Sequence, residues 1–349
     1  MKGKLIFKDG TEFEGESFGY EKSTAGEVVF TTGMVGYPES LTDPSYLGQI
    51  LIMTYPLVGN YGVPDKEHWE SDSLKISGLI VSNYIDSPSH FQSASTISEW
   101  LKNGKVPALQ IKDTRQLAIK IRKGGAMLGK IVFENDRGEI PFYDPNDDNL
   151  VSKVSVKQVV HEGKGKKTVV MIDGGEKRNI KRNFLKRGVR VITVPWNYDP
   201  FDPSTGGLKF DGLVISNGPG DPKKADKTIE TVQKALKQKI PIFGICLGHQ
   251  ILALASGGDT YKLKYGHRGQ NQPCILVGTK KCFLTTQNHG FAVGKMPKGF
   301  KPWFINANDG TNEGIIHEKL PIMSVQFHPE VTPGPRDTEW IFDHFISLI

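Results

Sequence analysis

Ile240-Pro-Ile-Phe-Gly-Ile-Cys246-Leu-Gly-His-Gln250 decides the reading of this 349-residue chain. The apolar run Ile240–Ile245 has the length of a buried strand, and the residues after Gly248 read as a helix. Gly244 and Gly248 stand two residues either side of Cys246. That is the G-x-nucleophile-x-G pattern of a strand–elbow–helix turn, with Cys where Ser is often found. The glycines let the chain turn sharply and leave no side chain to collide with a substrate. The thiol falls at a helix N-terminus, where aligned backbone N–H groups favour negative charge. A cysteine is more commonly a small buried hydrophobe. Cys274 and Cys282, which lack flanking glycines, are read that way.

Outward from the elbow the same rhythm repeats. Strands are predicted at Thr168–Ile172, Val189–Val194, Gly212–Ser216 and Ile240–Ile245, and helices at Lys177–Lys186, Ala225–Lys237, His249–Ala255 and Thr338–Ile349. Apolar strands alternating with helices predict a mostly parallel sheet covered on both faces, so this half is α/β. Working residues in such sheets gather at the carboxyl ends of the strands.

Another predicted strand, Pro321-Ile-Met-Ser-Val-Gln-Phe-His328-Pro-Glu330, ends at a histidine. Pro329 keeps the chain extended past His328, and residues two apart on an extended chain share a side. Glu330 can then accept one imidazole N–H and leave the other ring nitrogen to take the Cys246 proton. Asn217-Gly-Pro-Gly-Asp-Pro222 closes the strand before the elbow. Backbone N–H groups of Gly218 and Leu247 are candidate oxyanion donors; an ordinary turn is the alternative for that loop. His249 follows Cys246 by three, but no second ligand pair of zinc-site spacing accompanies it, so no metal site is expected. His289, in Gln287-Asn-His-Gly-Phe291, lacks a nearby carboxylate in sequence and is read as loop structure.

The remaining length calls for a second domain. Leu5–Phe7 and Thr11–Glu14 flank Asp9-Gly10, a dipeptide suited to a type I′ hairpin turn. Strand-like runs follow at Glu27–Thr31, Ile50–Tyr55 and Gly78–Val81, with helices at Ser93–Leu101 and Arg115–Lys123, an α+β mixture. Polar residues across Pro141–Lys157 and His161–Lys167 suggest an N-terminal domain over 1–150, a linker over 151–167 and a second domain over 168–349. Gly124–Lys130 nearly fits a phosphate loop, but Ile131 stands where Ser/Thr is required and helix precedes it.

Charged residues make up 23% and the net charge is +6, with lysines dispersed as on a solvated surface. No nucleic-acid signature accompanies them. An odd count of three cysteines argues against a disulfide framework and suits a reducing compartment. No apolar run reaches the ~18 residues of a membrane span, and Met1–Lys8 lacks the apolar stretch of a secretion signal. A cytoplasmic protein without nucleic-acid or membrane partners is expected.

Gly-Ile-Cys246-Leu-Gly-His-Gln and His328-Pro-Glu330, in that order and separation, resemble the class I glutamine amidotransferases. Gly26-Glu-Val-Val-Phe, Thr32-Gly-Met-Val-Gly-Tyr37, Leu41-Thr-Asp-Pro-Ser-Tyr46 and Asp113-Thr-Arg115 with Arg122 and Gly125 are similar to the carbamoyl phosphate synthetase small-subunit family, as are Gln287–Phe291 and Pro333-Gly-Pro335. The resemblance implies a glutaminase that works through a Cys246 thioester with His328 and Glu330. It implies glutamine contacts from Ser45, Gly218, Gly220, Leu247, Gln250, Asn288, Gly290 and Phe291. Ammonia would pass to a large subunit that makes carbamoyl phosphate from bicarbonate and ATP, for pyrimidine and arginine biosynthesis. No cofactor is implied in this chain, and ATP and magnesium would belong to the partner. Gly174 and Glu176 depart from the family's usual residues, which are more often aromatic or Cys and a small residue respectively.

Overall fold

Alternate residues of Lys2–Phe7 (β1) are buried, Gly3, Leu5 and Phe7, as expected of a strand with one face on a core. The computed structural model describes residues 1–136, 140–205 and 207–349. The chain divides into two units, Met1–Asp148 and Asn149–Ile349.

In the first unit, β1 is followed by Glu12–Ser17 (β2), Thr24–Thr31 (β3), Gln49–Met53 (β4), Gly78–Val81 (β5), Ala108–Gln110 (β6) and Met127–Phe133 (β7). They close into a barrel in the order β1-β2-β6-β5-β4-β3-β7. Closure leaves no unpaired sheet edge. The connections hold helices Tyr37–Thr42 (α1), Ile97–Asn103 (α2) and Thr114–Gly124 (α3). Thr96 and Glu99 form a reciprocal capping box at the start of α2. Asp113 caps α3 by accepting the Gln116 N–H at 2.8 Å.

One sequence expectation is corrected here, and a second reading agrees with the structure. The β1–β2 turn is not type I′, which needs positive φ at both central residues. The Gly10 N–H donates to the Phe7 carbonyl at 2.9 Å, and Gly10, at φ 83°, has positive φ while Asp9 does not. That is the longer type I turn closed by a left-handed glycine. Gly124–Lys130, the near phosphate loop, runs from the end of α3 into β7. Its helix-to-strand order is the reverse of a phosphate loop.

The second unit begins with Val151–Val154 (α4) and Val160–Glu162 (β8). β8 pairs antiparallel with Arg190–Pro195 (β10), His161 opposite Ile192. Residues 151–167, expected as a linker, are therefore part of this unit. Thr168–Asp173 (β9), Arg178–Leu185 (α5) and β10 come next, then Gly212–Ile215 (β11), Asp226–Lys237 (α6), Ile242–Ile245 (β12) and Leu247–Ala255 (α7). The chain ends with Thr260–Leu276 (β13), Cys282–Val293 (β14), Phe300–Asn306 (β15), Asn312–His317 (β16), Ile322–Val325 (β17) and Trp340–Leu348 (α8).

One ten-stranded sheet runs β14-β13-β15-β16-β17-β12-β11-β9-β10-β8. Its middle, β17-β12-β11-β9-β10, is parallel throughout; antiparallel strands extend both sides. The two faces separate by residue parity. Val170 and Ile172 of β9 join Leu213, Ile242 and the α6 and α7 residues Val232 and Ile251 in one core. Val169 and Met171 join Phe243 and the α5 and α8 residues Phe184, Phe342 and Phe345 in the other. Helices thus cover both faces, and the carboxyl ends of five parallel strands share one rim. No helix among the described residues is long and apolar enough to cross a membrane.

Phe184 is fully buried, with edge-on ring contacts to Phe342 at 5.2 Å and Phe345 at 6.3 Å. Phe184→Ala is expected to lower stability by about 3–5 kcal/mol, read from the urea midpoint at unchanged slope.

Candidate active site

The elbow is strained as its sequence requires. Cys246 lies between β12 and α7 at φ 52°, ψ −101°, a region that L side chains avoid and that costs about 1–3 kcal/mol. Its N–H donates to the Val325 carbonyl at 2.9 Å, which ties the turn to β17. A Cβ on Gly244 would sit 2.5 Å from the Gly248 carbonyl oxygen, and one on Gly248 would sit 2.2 Å from that of Ile215. Neither position admits a side chain. The Cys246 Sγ is buried, 3.7 Å from the Asn288 carbonyl oxygen.

β17 lies beside β12 in parallel register, Val325 opposite Ile245, so His328 follows at the same rim. The His328 N–H donates to the Thr286 carbonyl at 2.9 Å. Its Nδ1 is 2.6 Å from Glu330 Oε1, as the two-residue spacing predicts. A carboxylate only accepts, so Nδ1 carries the proton and Nε2 presents a lone pair. Nε2 is buried with no hydrogen-bond partner. Burial pushes the imidazolium down. The Glu330 charge, and then the neighbouring Cys246, overcome burial and raise His328 above its ordinary value. Cys246 thus lies near the imidazole, and catalytic hydrogen bonds in unliganded sites commonly tighten only when substrate binds.

Sequence reasoning missed Lys177. Its Nζ lies 3.0 Å from Glu330 Oε1 and donates to the Val331 carbonyl at 2.7 Å. Lys177 is 2% exposed and Glu330 is fully buried. Burial pushes the Glu330 carboxyl up, but Lys177, then His328, hold it well below the usual carboxylate range. Asn179 and Asn183 on α5 donate side-chain N–H groups to the Glu330 carbonyl, which anchors the backbone. The available signal was position: Lys177 comes four residues after the carboxyl end of β9.

The expected oxyanion donors are neighbours. A Cβ on Gly218 would lie 2.7 Å from Leu247 Cδ2 and 2.1 Å from the Gly174 carbonyl oxygen. The Gly174 N–H donates to Ser216 Oγ at 2.9 Å, and the Lys177 N–H to Asn217 Oδ1 at 2.8 Å, joining the tops of β9 and β11. Gly220 has a positive φ of 83° beside Leu150. Gln250 is held by protein at its amide nitrogen. Its Nε2 donates to the Phe291 carbonyl at 2.8 Å and to Gln326 Oε1 at 3.0 Å, so both amide hydrogens bind protein. Asn288 is buried, while Gly290 and Phe291 are half-buried on β14. Ser45 is buried in the first unit, where its N–H donates to Asp43 Oδ1 at 2.9 Å.

His249 is fully buried on α7 with Nδ1 2.9 Å from Ser324 Oγ, and burial pushes it down to about 3. His289 is a correction: it lies on strand β14 rather than in a loop, and Glu313 of β16 supplies the carboxylate that was absent nearby in sequence.

Comparison with known proteins matches this geometry to a family. The model described as "Glutamine amidotransferase class-I" matches residues 170–348. The chain belongs to the class I glutamine amidotransferases. The model "Carbamoyl-phosphate synthase small chain, CPSase domain" matches residues 5–131, within the barrel unit. Relatives include multifunctional protein CAD of Squalus acanthias, 49% identical over 98% of this chain and 16% of that protein. Multifunctional protein URA2 of Saccharomyces cerevisiae is 48% identical over 99% of this chain and 17% of that protein. Human mitochondrial carbamoyl-phosphate synthase [ammonia] is 48% identical over 99% and 23%. The chain thus spans less than a quarter of the length of these relatives. A solved glutamine amidotransferase of Thermotoga maritima resembles it at 20% identity and a TM-score of 0.39, over 53% of this chain and 85% of that one.

Removing one partner of a buried ion pair costs about 3–5 kcal/mol, because the other charge stays buried. Lys177→Met should lose stability on this scale near pH 7 in urea unfolding, and Lys177→Met with Glu330→Gln should recover part of it. The folded carboxyl of Glu330 is depressed, so its stabilisation is present above the unfolded value of about 4.3 and is lost as pH falls. The gap between wild type and Lys177→Met should therefore narrow below about pH 5.

Proposed function

We propose that this chain is the glutaminase component of a carbamoyl phosphate synthase. The observation that carries the reading is a buried Cys246, His328 and Glu330 at one sheet rim, with His328 Nε2 open toward the thiol. His328 takes the Cys246 proton through Nε2 as Sγ attacks the carboxamide carbon of glutamine. The N–H groups of Gly218 and Leu247 hold the oxyanion. When the tetrahedral adduct collapses, the C–N bond breaks, His328 returns the proton to nitrogen and ammonia leaves. Water activated by the same imidazole then cleaves the thioester and releases glutamate. Glu330 keeps the proton on Nδ1 through both half-reactions, so Nε2 is the nitrogen that cycles.

Ammonia passes to a large synthetase component that binds ATP, magnesium and bicarbonate, and the product serves pyrimidine and arginine synthesis. The small-chain domain match over residues 5–131 supports this assignment over other amidotransferases. Gly218, Gly220, Leu247, Gln250, Asn288, Gly290 and Phe291 are the glutamine contacts of this reading, Gln250 through its carbonyl oxygen. Three free thiols support a cytoplasmic setting. One relative's name specifies ammonia as nitrogen source; an intact elbow cysteine with its base favours glutamine here.

The test is carbamoyl phosphate formation by the chain with its synthetase component. Cys246→Ser is expected to lower the glutamine-dependent rate at least ~10³-fold, in keeping with loss of a nucleophile acting as part of a unit, and to leave the ammonia-dependent rate intact. Equal loss of both rates would exclude ammonia delivery.

A further inference from the structure

Beside the predicted glutamine contacts lies a buried cluster that the glutaminase mechanism does not use. His267 on β13 faces His289 on β14 across the ladder, ring centroids 5.0 Å apart and planes at 84°. Glu313 on β16 completes it: one ligand atom from each of the three lies within 4.8 Å of the other two, and all three residues are buried.

Hydrogen-bond roles fix where the lone pairs point. His289 Nδ1 is 2.8 Å from the Phe291 carbonyl oxygen, which can only accept, so Nδ1 carries the hydrogen. His267 Nε2 is 2.8 Å from Asp309 Oδ2, so that nitrogen carries the hydrogen there. The inward atoms of the two neutral rings are then His289 Nε2 and His267 Nδ1, both acceptors. Each faces another acceptor. His267 Nδ1 lies 3.3 Å from Glu313 Oε1, and His289 Nε2 lies 3.1 Å from Gln287 Oε1. The Gln287 amide turns its nitrogen the other way, toward Cys274 Sγ at 3.4 Å and Thr285 Oγ1. Thr285 Oγ1 gives its own hydrogen to the Gln272 carbonyl at 2.9 Å, so it accepts from Gln287 Nε2 at 3.2 Å. Glu313 Oε2 and His267 Nδ1 are also buried without a hydrogen-bond partner.

Two acceptor–acceptor contacts in a buried place need positive charge between them. Protons on both inward ring nitrogens would make adjacent imidazolium ions of rings 5.0 Å apart, next to the buried Arg268. One divalent ion brings the same charge and bonds both nitrogens at once. The outward hydrogen bonds, from ring N–H to carboxylate and to backbone carbonyl, are those that orient metal-ligating histidines. We propose that His267 Nδ1, His289 Nε2 and Glu313 form a site for a divalent ion of the zinc class, with Gln287 Oε1 as a fourth ligand. Two imidazoles and a carboxylate suit zinc, cobalt or nickel better than magnesium or calcium. His289 lies between Asn288 and Gly290, so the ion would brace the strand that carries the predicted glutamine contacts. The proposal goes beyond the glutaminase reading and does not require it.

The full chain with Cys246→Ser, which removes the elbow thiol as a competing ligand, is freed of metal with chelator and titrated with cobalt(II). Visible ligand-field absorption and equilibrium dialysis should report one ion per chain. Glu313→Gln and His267→Gln should each weaken binding at least tenfold with unchanged far-ultraviolet dichroism. Asp309→Asn, at a half-exposed residue that meets the outer nitrogen of His267 and otherwise accepts from Thr311, should weaken it about 10–100-fold. Absence of cobalt binding would overturn the proposal and leave a proton in the ion's place. So would binding that Glu313→Gln, His267→Gln and Asp309→Asn all leave unchanged.

Discussion

Glu330 Oε1 meets two nitrogen donors at once, Lys177 Nζ at 3.0 Å and His328 Nδ1 at 2.6 Å. A fully buried carboxylate would otherwise favour its neutral acid form. Lys177 keeps it ionised, and an ionised Glu330 keeps the Nδ1 hydrogen of His328 in place. The reactive lone pair on Nε2 follows from that chain of charge. The arrangement also limits how strongly Glu330 can hold the imidazolium, because Lys177 already offsets part of its charge. A base that both takes and returns a proton benefits from that moderation.

These groups come from widely separated parts of the sequence, and the parallel strands bring them together. Cys246 follows β12, Glu330 follows β17, Lys177 follows β9 and Gly218 follows β11. The four strands are consecutive neighbours in the order β17-β12-β11-β9. Parallel pairing sets all their carboxyl ends on one side, and the two apolar faces fix the register, since a one-residue slip would turn each strand's core residues outward. The site thus depends on packing as far away as Phe243 and Phe345, which touch no reacting atom.

How much of this was legible in the sequence depended on distance along the chain. The elbow and the His328–Glu330 pair were legible because each is local: glycines two residues from a nucleophile, and an extended step of two past a proline. Strand and helix positions in the second unit were legible because parity and period are local too. Lys177 was not, because its partner is 153 residues away and nothing in its neighbours distinguishes a buried lysine from a solvated one. The protein partners of Gln250 were hidden for the same reason: Phe291 and Gln326 are long-range. Residues 151–167 looked like a linker because they are polar, but an edge strand such as β8 has one open side and tolerates polar residues. The β1–β2 turn failed on a finer point, since Asp-Gly is compatible with several turns and the chain around it chooses.

The elbow shows why strain and surroundings are inseparable here. At φ 52° the Cys246 backbone is held against its own preference. What holds it is the 2.9 Å bond to Val325, the strand below and the helix above, with two glycines pressed against carbonyl oxygens. Relaxing the turn would require Gly248 to leave Ile215, and so would part α7 from β11. The cheapest adjustment is therefore no adjustment, and the thiol stays aimed at the rim before any substrate arrives. Preorganisation of this kind contributes to rate because reorganisation need not occur during the reaction.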